Sequence, residues 1–461
     1  MGDKRQKIQL RLAFGEEGRS EAPMALGEGS ETLTAKRMIE SPANNSERLM
    51  EEVCGRENCL QALKRVKSNK GSAGIDGMTV EQLPGYLKEH WPTTREQLLS
   101  GTYKPQPVRR VEIPKPDGGV RQLGIPTVLD RMVQQAVMQV LQARWDAGFS
   151  EHSHGFRPGR SAHHAVAKAQ KYIAAGRRWV VDLDLEKFFD RVNHDKLMAA
   201  VARRVADKRM LKLIRAFLTA GVMENGLVSP AEEGTPQGGL LSPLLSNIVL
   251  DELDRELERR KHCFVRYADD CNIYVRSRRA GQRVMTNVTR FLTRRLQLKV
   301  NEAKSAVARP VERKFLGFSF SHHKEPKRRI APKALWRCKQ KIRELTRRTR
   351  GIRVEQMTKE LAAYLRGWKS YFGFCQTPSV LKTLDQWIRH RMRSTIWKQW
   401  KRGPQRYAQL RHLGIGRDLA AQTAGSPHGP WRLANSPALA IALPIAYFDS
   451  LGLPRLFDGA A

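Results

Sequence analysis

Apolar and polar positions along the chain change period several times, and each change marks an element. Leu49, Val53, Leu60, Leu63 and Val66 recur at helical spacing and predict a helix over 45–67. A second helix is expected over 80–99. Val108–Ile113 and Val120–Ile125 read as two strands joined through Asp117-Gly118-Gly119, strong hairpin chemistry. Helices follow over 131–145 and 161–175, the latter with Ser161 as N-cap. Trp179–Leu185 is a continuous apolar strand interrupted only by acids. Helical periodicity returns over 195–220 and 242–260. Two short runs, Cys263-Phe264-Val265 and Ile273-Tyr274-Val275, then flank the polar tetrad Tyr267-Ala268-Asp269-Asp270. After a helix at 280–296 and a strand at 315–320, the chain turns helical and basic beyond 330. Breaks at Gly403-Pro404 and over 425–430 set off a C-terminal module.

The tetrad carries the first chemistry. Two adjacent carboxylates at a hairpin tip repel unless a cation neutralises them. A divalent metal does so, and points to a Mg²⁺ site on a rigid hairpin. A two-metal centre, with ions roughly 3.5–4 Å apart, needs a further carboxylate from another strand. Val180-Val181-Asp182-Leu183-Asp184-Leu185 supplies candidates, since alternation puts Asp182 and Asp184 on one face. An acid among Val and Leu is costly unless paired or metal-bound. Taken alone, that acid is as well read as a helix cap.

Charge narrows the partner. The 461 residues carry 82 Lys+Arg against 46 Asp+Glu, a net +36, with 41% apolar content that supports real cores. The excess is uneven. Residues 324–412 hold 25 basic and 5 acidic side chains, whereas residues 1–50 are balanced at 8 and 8. Such a distribution is the footprint of a polyanion binder. The glycine-rich loop Gly71–Gly77 lacks the Gly-Lys-Ser/Thr ending of a phosphate-binding loop, which argues against a nucleoside-triphosphatase of that class. The six cysteines form no Cys-x-x-Cys pair, which argues against a zinc ribbon. His152, His154, His163 and His164 lack a clear fourth-ligand pattern. The longest apolar stretch, Ala438–Phe448, contains Pro444 and is too short to cross a bilayer. Cytoplasmic residence and free thiols are the expectation.

In the order in which they occur, these segments resemble the palm motifs of reverse transcriptases. More closely, they resemble the reverse transcriptase/maturase proteins encoded within bacterial group II introns, from about residue 45 onward. The resemblance implies an α+β right-hand polymerase with an antiparallel palm sheet. It divides the chain into a flexible leader (1–45), an N-terminal extension with fingers and palm (46–325), an α-helical thumb or maturase domain (326–402) and a small DNA-binding module (403–461). Asp184, Asp269 and Asp270 match the catalytic aspartates. With the backbone carbonyl of Leu185 they would hold two Mg²⁺ ions. Phe189 matches the aromatic under the incoming sugar, which favours dNTPs over ribonucleotides. Lys115 and Arg121 match the triphosphate contacts, Gln237 the residue beside the ribose, and Asn301 with Lys304 a motif near the triphosphate.

The same resemblance assigns Leu123–Pro126, including Ile125 and Pro126, to the templating base, and Gly238 to close approach of a base pair. It assigns Arg157 and Arg160 to the template strand and Phe315, Leu316 and Gly317 to the primer terminus. Gly367-Trp368 and Tyr371-Phe372-Gly373-Phe374 resemble the maturase segment. The implied partners are intron RNA and an RNA template, a DNA or RNA primer, target DNA and dNTPs, with no membrane, in a nucleoid-associated ribonucleoprotein; oligomeric state is left open. The family's optional His-Asn-His endonuclease is not expected after residue 400, so priming is expected from a pre-existing 3′ end. Three rivals stay open: a maturase with a decayed polymerase site, an RNA-directed RNA polymerase, and a domesticated reverse transcriptase of defence or repair.

Overall fold

The computed structural model describes residues 48–114, 120–224, 227–229, 233–234 and 238–457, with the backbone alone at 121, 224 and 227. The expected leader, Lys115 and Gln237 lie outside the described residues, and the side chain of Arg121 does too.

Among the described residues, ten strands form three sheets. β1 (Val108–Pro114) and β2 (Val120–Ile125) pair antiparallel in the register Val111↔Leu123 and Pro114↔Val120, which is the expected hairpin. β3 (Trp179–Leu183) follows. β4 (Val222–Glu224) and β5 (Leu227–Ser229) are a short hairpin that hydrophobic periodicity does not show, and β4 joins β1 in parallel. β6 (Cys263–Tyr267) and β7 (Asp270–Val275) form the tetrad hairpin, and β8 (Ala306–Ala308) completes a sheet of order β6-β7-β3-β8. β9 (Phe318–Phe320) and β10 (Arg328–Ile330) make a separate antiparallel pair.

Helix breaks depart from the expected spans for local reasons. The helix expected over 45–67 is two, Leu49–Val53 and Arg56–Ser68, because Gly55 adopts φ −59° and ψ 137° between them. The helix expected over 195–220 is also two, His194–Ala202 and Lys208–Thr219. Asp207 starts the second by accepting the backbone N–H groups of Arg209 and Met210.

The chain divides into two compact units. Of the described residues, those within 48–165 and 181–307 form the first, and those within 166–180 and 308–457 the second. The main boundary thus falls before the Phe315–Ile330 segment rather than at 325/326. Ala331 donates its N–H to the Gly317 carbonyl and Tyr371 donates its hydroxyl to that of Leu316, which ties this segment to the helices that follow. Residues 403–461 do not stand apart either. Leu410, Ile415, Leu439 and Phe448 share one buried core with Leu365, Leu384, Ile388 and Trp397. Buried Asp385 accepts the backbone N–H groups of Leu456 and Phe457, closing the C-terminal segment onto the Pro378–Gln399 helix. No helix among the described residues is long and apolar enough to cross a membrane.

Candidate polymerase site

The β6–β7 hairpin turns on two residues, since Tyr267 pairs directly with Asp270. Ala268, the first turn residue, sits at φ +58°, where an alanine is strained. Such strain persists only where the surroundings over-determine it, and here they do. Arg266, fully buried one residue before the tetrad, donates to the Ala268 carbonyl at 2.9 Å. Its other N–H groups reach both carboxylate oxygens of Asp254 (2.8 and 2.6 Å), the Asn247 side-chain oxygen (2.9 Å) and the Ser153 hydroxyl (2.8 Å). All five donors of the guanidinium are used. Burial opposes its charge, yet the adjoining Asp254 carboxylate holds its pKa above the ordinary arginine range. Behind the turn, the 152–154 backbone runs parallel to β6, with His154 donating to the Arg266 carbonyl. A Cβ on Gly155 would lie 2.3 Å from the Ala268 nitrogen, so only glycine fits there.

The second acidic element is equally braced. β3 ends at Leu183, and β3 and β7 are neighbours in the sheet. Asp182 is buried, while Asp184, just past the strand, is half-exposed. Asp184 donates its backbone N–H to the Ser305 hydroxyl at 3.0 Å, and its carbonyl accepts the Asn301 N–H at 2.8 Å. Glu186 donates to the Lys299 carbonyl at 2.8 Å, so Leu185 and Val300 form an antiparallel bridge whose bonds belong to the flanking residues. Alternation turns the Leu185 carbonyl away from that bridge. No hydrogen bond to it is found among the described residues. Carboxylate and carbonyl oxygens are the donors that hard divalent cations take, and the unspent carbonyl fits that role. Among the described residues no three acidic, histidine or cysteine side chains close into a ligating cluster.

Residues 113–320 match the reverse transcriptase (RNA-dependent DNA polymerase) family, and residues 335–414 match the group II intron, maturase-specific domain. Two segments of the chain are thus similar, one to a reverse transcriptase and the other to a group II intron maturase domain. Protein YkfC of Escherichia coli (strain K12) is 40% identical over 225 residues, covering 48% of this chain and 59% of that protein. The group II intron-encoded protein LtrA of Lactococcus lactis subsp. cremoris is 41% identical over 206 residues, 44% of this chain and 34% of LtrA. The putative COX1/OXI3 intron 1 protein of Saccharomyces cerevisiae is 34% identical over 229 residues, 50% of this chain and 27% of that protein. The matched regions thus span 59% or less of each of these relatives.

Within residues 113–320, the Gly238 loop and the Leu123–Pro126 segment are neighbours. Gly238, at φ +123°, would place a Cβ 2.5 Å from the Gly124 carbonyl, so the Gly238 loop lies against the Leu123–Pro126 segment. Ile125 is half-buried and Pro126 buried. The glycine-rich loop backs the same segment, with Gly74 against Thr127 and Arg131 donating to the Ser72 carbonyl at 2.5 Å. Phe189 leaves part of its ring open and meets buried Phe188 edge to face, centroids 5.3 Å apart. Lys304 is exposed, its backbone N–H bonded to Asn301.

Arg157 departs from its expected place. It is buried, and four of its five N–H groups go to the Asp146 carboxylate and carbonyl and to the Ser150 and Ser153 carbonyls. It braces the loop behind the tetrad; a phosphate contact would have to break those bonds. Arg160 is half-exposed, and its guanidinium makes a long contact of 3.4 Å to the Glu151 carbonyl.

In the second unit, Phe315 and Phe318 exchange both backbone hydrogen bonds across Leu316 and Gly317, at φ +52° and +80°. Both signs are positive, as a two-residue type I′ hairpin requires. A Cβ on Gly317 would meet the Phe372 ring at 3.1 Å. Gly317→Ala is therefore expected to cost about 1–2 kcal/mol, read as a lowered thermal midpoint; an unchanged midpoint would show that the turn is not held.

Arg266, Asp254, Ser153, Asn247 and Ser305 escaped the sequence reading. Arg266 and Asp254 did leave a signal: a cation within a buried strand, and an acid among Leu250, Leu253 and Leu257 on an apolar helix face. Ser305 left none.

Proposed function

We propose that this chain is an RNA-directed DNA polymerase that also binds group II intron RNA and aids its splicing and mobility. One observation carries the reading: an Arg266-locked hairpin holds Asp269 in its turn and Asp270 at the start of β7, the neighbour of β3, which ends one residue before Asp184, in a chain with both matching segments. Asp184, Asp269, Asp270 and the Leu185 carbonyl are the oxygens that would hold two Mg²⁺ ions, which when bound supply Lewis-acid stabilisation of phosphoryl oxygens. The reaction is in-line attack of a primer 3′-hydroxyl on the α-phosphate of a dNTP, with pyrophosphate leaving. Lys115, Arg121 and Lys304 meet the triphosphate charge. Gln237 sits beside the ribose, and Phe189 fills the space a 2′-hydroxyl needs.

Ile125, Pro126 and Gly238 face the templating base pair. Arg160 takes the template strand, and Phe315, Leu316 and Gly317 the primer end. The second partner is the intron RNA, bound by the basic helices after 330 in a cytoplasmic ribonucleoprotein, with target DNA as the destination of the copy. Primer extension on an RNA template tests the sugar reading. The wild type is expected to prefer dNTPs, and Phe189→Ala to shift that preference toward ribonucleotides by about tenfold or more. Equal use of both nucleotides by the wild type would contradict the role of Phe189.

A further inference from the structure

Between the helices Pro332–Leu345 and Pro378–Gln399, three cations meet on one indole. Lys339 Nζ lies 5.9 Å, Arg343 Cζ 5.6 Å and Arg391 Cζ 5.3 Å from the centroid of half-buried Trp387. None of the three is in an ion pair among the described residues; the neighbouring Glu344 is held by Lys341 at 2.9 Å. A carboxylate would gather such cations and cancel their charge. An indole gathers them through its quadrupole and cancels nothing. The cluster therefore keeps three formal positive charges for an external anion. Arg391 reports the repulsion: burial, with Arg343 and Arg348 close by, pushes its pKa below the usual arginine range. Its Nε donates to the Thr346 hydroxyl at 2.8 Å, which fixes the guanidinium in place.

A groove of about 210 Å³ adjoins the cluster. Leu335, Val380 and Leu384 line it, with Lys339, Ser379 and Thr383. Lys339 belongs to both features. The groove has several times the ~30 Å³ share of one water, room for one heterocycle and not for a helix. Thr383 donates its hydroxyl to the Ser379 carbonyl at 2.9 Å, so its oxygen keeps lone pairs for an incoming hydroxyl.

We propose that this is a site for one unpaired nucleotide of a folded RNA, its base in the groove and its flanking phosphates on Lys339, Arg343 and Arg391. An apolar slot beside a phosphate-binding cluster suits a splayed-out base, which is how sequence-specific RNA recognition is commonly built. Every residue of the site lies within the segment that matches the group II intron maturase domain. The proposal rests on the reading that this segment binds RNA, and deepens it by naming what is bound.

The test is fluorescence anisotropy of the full chain with a labelled RNA hairpin carrying a one-nucleotide bulge. The same hairpin fully paired and its bulged DNA counterpart are the comparisons. The wild type is expected to prefer the bulged RNA. Trp387→Leu, Arg343→Gln and Val380→Trp, which fills the groove, are each expected to weaken that RNA by about tenfold and the paired hairpin by less than about twofold. Val380 and Arg343 are at least partly exposed, so their variants decide the matter if Trp387→Leu fails to fold. Equal loss on bulged and paired RNA, equal behaviour of bulged DNA, or a bulge preference that survives Val380→Trp would overturn the proposal. A wild type that binds no RNA at all would overturn the underlying reading instead, a result distinct from binding without bulge preference.

Discussion

Arg266→Met is expected to cost about 3–5 kcal/mol of stability and to abolish DNA synthesis. The stability loss follows from burial: both partners of the Arg266–Asp254 pair have fully buried side chains, so the variant leaves an uncompensated carboxylate in the interior. The double variant Arg266→Met/Asp254→Leu removes both charges and is expected to recover much of the melting temperature, as replacing a whole buried pair often does. It is not expected to recover primer extension, because the Ala268 carbonyl still lacks its donor and the strained turn its anchor. Recovery of both stability and extension would show that Arg266 serves the fold alone.

Asp184→Asn should leave the fold intact and remove the chemistry. The substitution is isosteric, the side chain is half-exposed, and the local backbone stays pinned by Ser305 and Asn301. A change in stability within about 1 kcal/mol is expected. Loss of one oxygen charge where the triphosphate must be held is expected to lower the single-turnover rate on the order of 10²–10³-fold or more. RNA affinity should be unchanged, since the proposed RNA-binding surface is the basic helices beyond 330 and not Asp184. A variant that bound RNA and kept its rate would remove Asp184 from the mechanism.

What the sequence revealed and what it hid divide along contact range. The tetrad hairpin, β3 ending just before Asp184, and the β1–β2 pairing are local patterns of alternation and turn chemistry, and they were legible. The devices that hold those acids are long-range. Ser153 and Arg266 are 113 residues apart and Ser305 and Asp184 are 121 apart, distances over which no periodicity signals a partner. Arg157 shows the converse error: a basic residue in a Gly-Phe-Arg-Pro loop looks like a phosphate contact until its donors are found bonded to the loop's own carbonyls. The segment after the boundary expected at 403 is likewise held by long-range contacts. The Gly-Pro break is real, but Leu410, Leu439 and Phe448 still fold back into the core of the preceding helices.

The reading as a whole stands on one comparison. RNA-templated primer extension in Mg²⁺ with dNTPs, measured for the full chain and for Asp269→Asn at matched RNA occupancy, isolates the hairpin acids from RNA binding. The account predicts DNA synthesis by the wild type, with RNA affinity retained and extension lost in Asp269→Asn. Extension by Asp269→Asn at the wild-type rate would contradict it.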